Sequence, residues 1–134
     1  MRGIARLEAV VLDCPDPLAL AEFYSALIGW PLDHDGQTAG WVTLKGGEVD
    51  LAFQRVEDYT PPKWPGSSRP HQFHLDVQVD DLDTAEAQAV ALGATRAEYQ
   101  PGTTFRVLLD PAGHPFCLCI PHGTHQTSGN SAAL

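Results

Sequence analysis

The amino-acid sequence predicts an α+β fold with two similar halves, each a strand, a helix and a run of strands, arranged around a small-molecule pocket. Three observations predict it: a Val- and Leu-rich strand leads into an amphipathic helix, a hairpin follows, and the same order returns in the second half. The 134 residues, of which 43% are hydrophobic, suffice for the core of one domain.

The first half begins with a strand over residues 7–14. Asp16 is the predicted N-cap of the following helix, and Gly29 closes it. The apolar residues of this helix recur at helical spacing, and they are Leu20, Phe23, Tyr24, Leu27 and Ile28. Two short apolar runs, residues 41–44 and 49–54, are separated by Lys-Gly-Gly and predict a hairpin.

The second half repeats this order. Residues 73–79 form a predicted strand, Asp81 takes the cap position, and Gly93 closes the helix. Strands follow at 105–109 and 116–120, joined by an Asp-Pro-Ala-Gly turn sequence.

A constant offset relates the two halves. Three pairs of residues are each 65 positions apart, namely Asp16 with Asp81, Trp41 with Arg106, and Leu51 with Phe116. The two helix-closing glycines differ by 64. Matching elements in one order at nearly one offset indicate a duplication, and the alternative is two unrelated α+β halves.

We therefore predict a single domain over residues 1–121. Module one covers about 5–57, a Pro-rich crossover covers 58–70, and module two covers about 71–121. We expect the polar tail, residues 122–134, to be mobile.

Composition excludes several classes of partner. The net charge of −9 and the scarcity of clustered Lys and Arg argue against nucleic-acid binding. No apolar run is long enough for a membrane span, and the N-terminal residues lack the apolar core of a secretory signal, so we expect a cytoplasmic protein. Three cysteines, Cys14, Cys117 and Cys119, form an odd set without framework spacing, and we expect free thiols.

An ordered set of short motifs carries a family resemblance. The motifs are Val10–Pro17, Ala21–Tyr24 with Leu27–Trp30, His74–Asp76 with Asp80–Leu82, Leu92–Ala94, and Asp110–Phe116. With these motifs the chain resembles the vicinal oxygen chelate superfamily, which holds glyoxalase I, bleomycin-resistance proteins and extradiol dioxygenases. It is most similar to small glyoxalase-like proteins of unassigned activity. The resemblance implies two tandem βαβββ modules, curled mixed sheets around a cleft, and a homodimer.

The resemblance also implies four metal-ligand positions, one on the first and one on the last strand of each module. In this sequence they are Ala9, Ala52, His74 and Cys117. A first-row metal needs about three protein donors, so we expect the family's usual metal site to be lost and no cofactor to be bound. The minority alternative is a divalent metal, Zn, Fe, Ni or Mn, at His74 and Cys117. Three further polar residues lie two positions away on the same strand faces but would have to shift by one pleat repeat, namely Gln54, Asp76 and Cys119.

Strict alternation over residues 72–79 assigns the faces of the second module's first strand. Odd positions are apolar and predict the core, whereas even positions face the cleft or solvent. The predicted ligand-pocket residues are Asp13, Trp41, Gln54, His74, Asp76 and Cys117, and the candidate catalytic residues are His74 and Asp76. The structural alternatives are a half-exposed strand histidine, solvated carboxylates, a core tryptophan and cysteines that only pack.

Three functions follow from these residues. The first is a metal-independent protein that binds a small organic molecule, and we favour it because Ala9 and Ala52 carry no donor atom. The second is a metal-dependent lyase or dioxygenase with an atypical site around His74 and Cys117. The third is a metal-free lyase or isomerase that uses His74 or Asp76 as its base. Fold alone does not choose among them.

Overall fold

The computed structural model describes residues 3–121. These residues divide into two compact units, with the boundary between Thr60 and Pro61. The boundary between them falls inside the predicted crossover, residues 58–70. The predicted mobile tail lies outside the described residues.

The first unit has one helix and a three-stranded sheet. Its elements are β1 (Ala9–Cys14), α1 (Pro17–Ile28), β2 (Trp41–Leu44) and β3 (Asp50–Arg55). The strand order is β1-β3-β2, with β1 parallel and β2 antiparallel to the central strand. The implied βαβββ module has three strands after its helix, and here an isolated antiparallel bridge between Leu32 and Leu44 stands in place of the first of them.

Capping fixes both ends of α1 as predicted. The Asp16 carboxylate accepts a hydrogen bond from the Ala19 N–H at 3.2 Å, and Pro17 occupies the first turn. Gly29 adopts the left-handed conformation, φ 81°, and donates its N–H to the Ser25 carbonyl. The buried face of the helix packs on the sheet through Tyr24 and Phe53, whose rings are stacked 5.7 Å apart.

The second unit has one helix and a four-stranded sheet. Its elements are β4 (Leu75–Gln78), α2 (Leu82–Leu92), β5 (Thr95–Arg96), β6 (Phe105–Leu109) and β7 (Pro115–Cys119). The strand order is β4-β7-β6-β5, and only the β4–β7 pair is parallel. The two-residue strand β5 was not predicted because so short a segment carries no alternation.

The strand pairing supports the duplication. Val11 pairs with Ala52 in the first unit, and Asp76 pairs with Cys117 in the second. Each residue of the second pair lies 65 positions after its counterpart in the first pair. The predicted equivalence of Trp41 with Arg106 is wrong by one residue. Trp41 pairs with Gln54. The residue 65 positions after Gln54 is Cys119, and its partner is Phe105 rather than Arg106. The offset is 65 at the N-caps of the two helices and 64 at the glycines that follow them, because α2 has 11 residues and α1 has 12.

The strand predicted from residue 73 begins two residues later. Phe73 is 87% exposed rather than part of the core. Leu75 pairs with Phe116, so Phe73 would have to pair beyond Pro115, opposite His114. Proline cannot donate to the ladder, and the His114 N–H is already donated to the Asp110 carboxylate. The ladder therefore stops before it reaches Phe73.

Of the helices within residues 3–121, none has the length and apolar character that crossing a membrane requires. The fold class is α+β, as the sequence predicts.

Candidate functional site

Three polar side chains of the second unit converge on one face of its sheet. Asp76 on β4 and Cys117 on β7 are direct partners in the parallel ladder, and His74 precedes Asp76 by two residues on the same face. His74 Nε2 lies 3.2 Å from Asp76 Oδ1. One ligand atom from each of the three residues lies within 4.8 Å of the other two.

The three side chains differ in their access to solvent. The Asp76 side chain is 62% exposed and that of His74 is 31% exposed. Cys117 is 2% exposed. The site therefore has an accessible polar edge over a buried thiol.

An apolar cluster surrounds that thiol. Cys117 packs with the buried residues Ala97 and Val107. Three partly buried side chains pack against this cluster, namely Trp64, Phe105 and Cys119. Trp64 comes from the Pro-rich crossover, so this segment covers part of the sheet face in its own unit.

Burial and a nearby carboxylate keep the two cysteines of β7, Cys117 and Cys119, protonated. Burial raises the pKa of the Cys117 thiol, and the Asp76 carboxylate, which accepts its S–H hydrogen bond, raises it further. Burial and the same carboxylate raise the pKa of Cys119 to about 11. Neither thiol is an activated nucleophile at neutral pH.

A second histidine lies beside the site. The His71 ring lies edge-on to the His74 ring, with centroids 5.7 Å apart. Burial lowers the pKa of His71, and the charge of His74 lowers it further. Sequence reasoning missed His71 because it lies between the crossover and β4, where no strand alternation assigns a face.

The three predicted pocket residues of the first unit form a row across its sheet. Asp13 pairs with Gln54, and Gln54 pairs with Trp41 on its other side. Asp13 and Gln54 are exposed, whereas Trp41 is half-buried and donates its indole N–H to Thr43 Oγ1 at 2.9 Å. The row offers a carboxylate, an amide and an aromatic ring.

The four metal positions implied by the resemblance do not provide a family-type ligand set. Ala9 is half-buried and Ala52 is fully buried, and neither carries a donor atom. Only His74 and Cys117 remain of the four. The third donor next to them, Asp76, is not at one of these positions.

Comparison with known proteins agrees with this fold. The model of the family described as a glyoxalase-like domain matches residues 9–119. A glyoxalase/bleomycin resistance protein/dioxygenase family enzyme from Burkholderia phytofirmans is 22% identical, with a TM-score of 0.68 over 87% of this chain and 98% of that chain. A glyoxalase-related enzyme from Fulvimarina pelagi is 20% identical, with a TM-score of 0.63 over 96% and 100% of the two chains.

A lactoylglutathione lyase from Agrobacterium tumefaciens is 18% identical, with a TM-score of 0.58 over 89% of this chain and 96% of that chain. The curated proteins contain no match to the sequence. At these identities the solved structures establish the fold alone.

Proposed function

This chain belongs to the glyoxalase-like domain family, and on that premise we propose that it binds a small organic molecule at the His74–Asp76 face of its second sheet. The observation that carries the proposal is an accessible polar pair directly beside an apolar cluster. Small-molecule sites combine mostly apolar walls with a few placed polar groups, and this face has both.

The polar pair sets the charge and hydrogen-bonding character of the ligand. Asp76 is an acceptor, and His74 presents one donor and one acceptor when neutral. A ligand that donates a hydrogen bond suits Asp76, and a cationic donor gains a favourable charge interaction. An anionic ligand is repelled by Asp76 and by the net charge of −9.

The apolar cluster favours an apolar or aromatic group at the other end of the ligand. Trp64 and Phe105 are only partly buried, so their rings keep surface that a ligand can cover. An aromatic ring suits these neighbours, because aromatic pairs gain about 0.5–1.5 kcal/mol beyond the area that they bury. The proposed ligand is therefore an aromatic or apolar molecule bearing a neutral or cationic hydrogen-bond donor.

Three simple probes test this charge preference. Benzylamine, phenol and benzoate share one ring and differ in the polar group, and each is titrated into ¹⁵N-labelled protein while amide resonances are followed. We expect benzylamine and phenol to shift amides of β4 and β7, and benzoate to bind more weakly. Absence of shifts with all three probes, or tightest binding of benzoate, would contradict the proposal.

Matched variants locate the site. Asp76→Asn removes the carboxylate charge and should weaken benzylamine binding about tenfold. This is the lower end of the about 1.5–3 kcal/mol that a hydrogen bond to a charged group is worth, because the Asp76 side chain is 62% exposed and solvent screens it. Asp80→Asn is the control, because Asp80 is an exposed carboxylate just beyond β4. Equal effects of the two substitutions would mean that only overall charge matters.

A further inference from the structure

We infer that the ligand of the proposed site is an amine that carries two aromatic rings in line, because aromatic side chains extend the site from Asp76 past Trp64 to Tyr99. The solvent-facing surfaces of Trp64 and Tyr99 are called the aromatic strip. This inference rests on the proposed function and adds to it the length and shape of the ligand.

A row of paired residues across the second sheet sets the length of the site. Asp76 pairs with Cys117, and Cys117 pairs with Val107. The Ala97 N–H donates to the Val107 carbonyl at 3.2 Å, so Ala97 continues the row beyond β6. Neighbouring strands lie about 4.8 Å apart, and the three steps from Asp76 to Ala97 therefore cover about 14 Å. One ring on one methylene group is too short to contact both ends of this row.

The aromatic strip lies over the apolar part of the row. Trp64 packs against the cluster that Ala97, Val107 and Cys117 form. Its ring centroid lies 5.8 Å from that of Tyr99, with the two ring planes inclined at 38°. Trp64 is half-buried and Tyr99 is 55% exposed, so both rings keep surface that a ligand can cover. The strip therefore continues the site away from the carboxylate.

The segment that carries Tyr99 is held to the sheet by its neighbour Gln100. The Gln100 amide nitrogen donates to the carbonyls of Ala97 and Val107, each at 2.8 Å. The Gln100 amide oxygen accepts the Val107 N–H, also at 2.8 Å. Because these bonds fix the segment against β6, the strip is formed before a ligand arrives. Little conformational freedom is then lost on binding.

The two ends of the site differ in chemistry. The Asp76 carboxylate accepts a hydrogen bond from an ammonium group and attracts its charge. Trp64 and Tyr99 offer ring faces and edges, which suit the rings of a ligand. The class of ligand that fits both ends is an aromatic amine whose second ring extends away from the amino group.

Three amines test this shape by the same amide-resonance titration. In para-phenylbenzylamine the second ring is in line with the first, whereas ortho-phenylbenzylamine has the same composition with the second ring turned back beside the amino group. We expect the para isomer to bind at least about threefold more tightly than the ortho isomer and than benzylamine, because only its second ring reaches Tyr99.

The outcomes separate the inference from the proposed function. Equal affinity of the two isomers, with benzylamine still bound, overturns the inference and leaves the proposed function standing. Failure of all three amines to bind overturns both.

Variants locate the second ring. Tyr99→Ala should lower the affinity for the para isomer to about that for benzylamine, whereas Tyr99→Phe should keep the preference, because it keeps the ring. Phe73→Ala is the matched control, since Phe73 is an aromatic residue of the same unit, 87% exposed and outside the strip. This control should also keep the preference. A preference for the para isomer that survives Tyr99→Ala, or that is lost in Phe73→Ala, would place the second ring elsewhere and overturn the inference.

Discussion

Gly46 lies in the turn between β2 and β3, and its replacement by alanine tests how tightly this turn packs. The Asp50 carboxylate accepts hydrogen bonds from the Gly46 N–H at 3.2 Å and from Lys45 Nζ at 2.9 Å, and so holds the turn. A Cβ at Gly46 would lie closer than 3.0 Å to both the Trp30 ring and the Val49 carbonyl oxygen. One of these neighbours is backbone, so a rotation of the Trp30 side chain alone does not make room.

The magnitude follows from this overlap. Forcing an extra methyl group into a filled space costs about 1–3 kcal/mol. We expect Gly46→Ala to lower the free energy of unfolding by that amount, measured by urea denaturation followed by circular dichroism. Gly40→Ala is the control, because a Cβ there meets no atom within 4 Å. With no strain and a less flexible unfolded chain, it should stabilise the protein by about 0.4–1 kcal/mol.

The difference between the two variants isolates the effect of the close contacts at Gly46. If Gly46→Ala and Gly40→Ala have free energies of unfolding within about 0.5 kcal/mol of each other, the packing at the turn is not the cause of any loss. A Gly46→Ala protein with native stability would mean that the turn relaxes freely around the new methyl group.

Two further predictions concern the second unit. Arg106 donates to Glu86, and both side chains are only about one-fifth exposed, at 20% and 19%. A double-mutant cycle with alanine at both positions should give a coupling energy of at least about 1 kcal/mol, and a value near zero would show that solvent screens the pair. For Cys119, the pKa of about 11 against an ordinary 9.0 predicts about a hundredfold less thiolate than in the unfolded chain at pH 8. The thiolate of higher pKa is more nucleophilic, which offsets part of this loss, so iodoacetamide labelling mapped by mass spectrometry should be about tenfold slower in the native protein than in urea, and equal rates would contradict the prediction.

Local patterns were sufficient for most elements of the fold. Asp16 and Asp81 cap their helices as predicted, because an N-cap needs only its own side chain and the N–H groups of the next turn. Gly29 and Gly93 follow the helices for the same local reason. The short strand β5 and the isolated bridge at Leu32 had no such signal, since each depends on a partner strand rather than on its own residues.

Errors arose where a prediction needed the pairing of distant residues. Alternation predicted a strand from residue 73, yet Pro115 and the Asp110 turn end the ladder before Phe73. The offset of 65 holds for the two parallel strand pairs, β1 with β3 and β4 with β7, but not for Trp41, because the shorter second helix changes the count before β6. For Phe73, the residue's own neighbours carried no information about the partner strand, whereas the change of offset to 64 was already visible in the two helix-closing glycines.

The residues of the candidate site could be predicted from the sequence, but their distances could not. Sequence alone identified His74, Asp76 and Cys117 as residues of one pocket face, and it identified Ala9 and Ala52 as positions without a donor atom. Only the tertiary structure decided that Asp76 lies opposite Cys117 and within 3.2 Å of His74, and that the thiol is buried. The physical reason is that alternation fixes the face of a strand, whereas the distance between side chains on different strands depends on the hydrogen-bonded register between them.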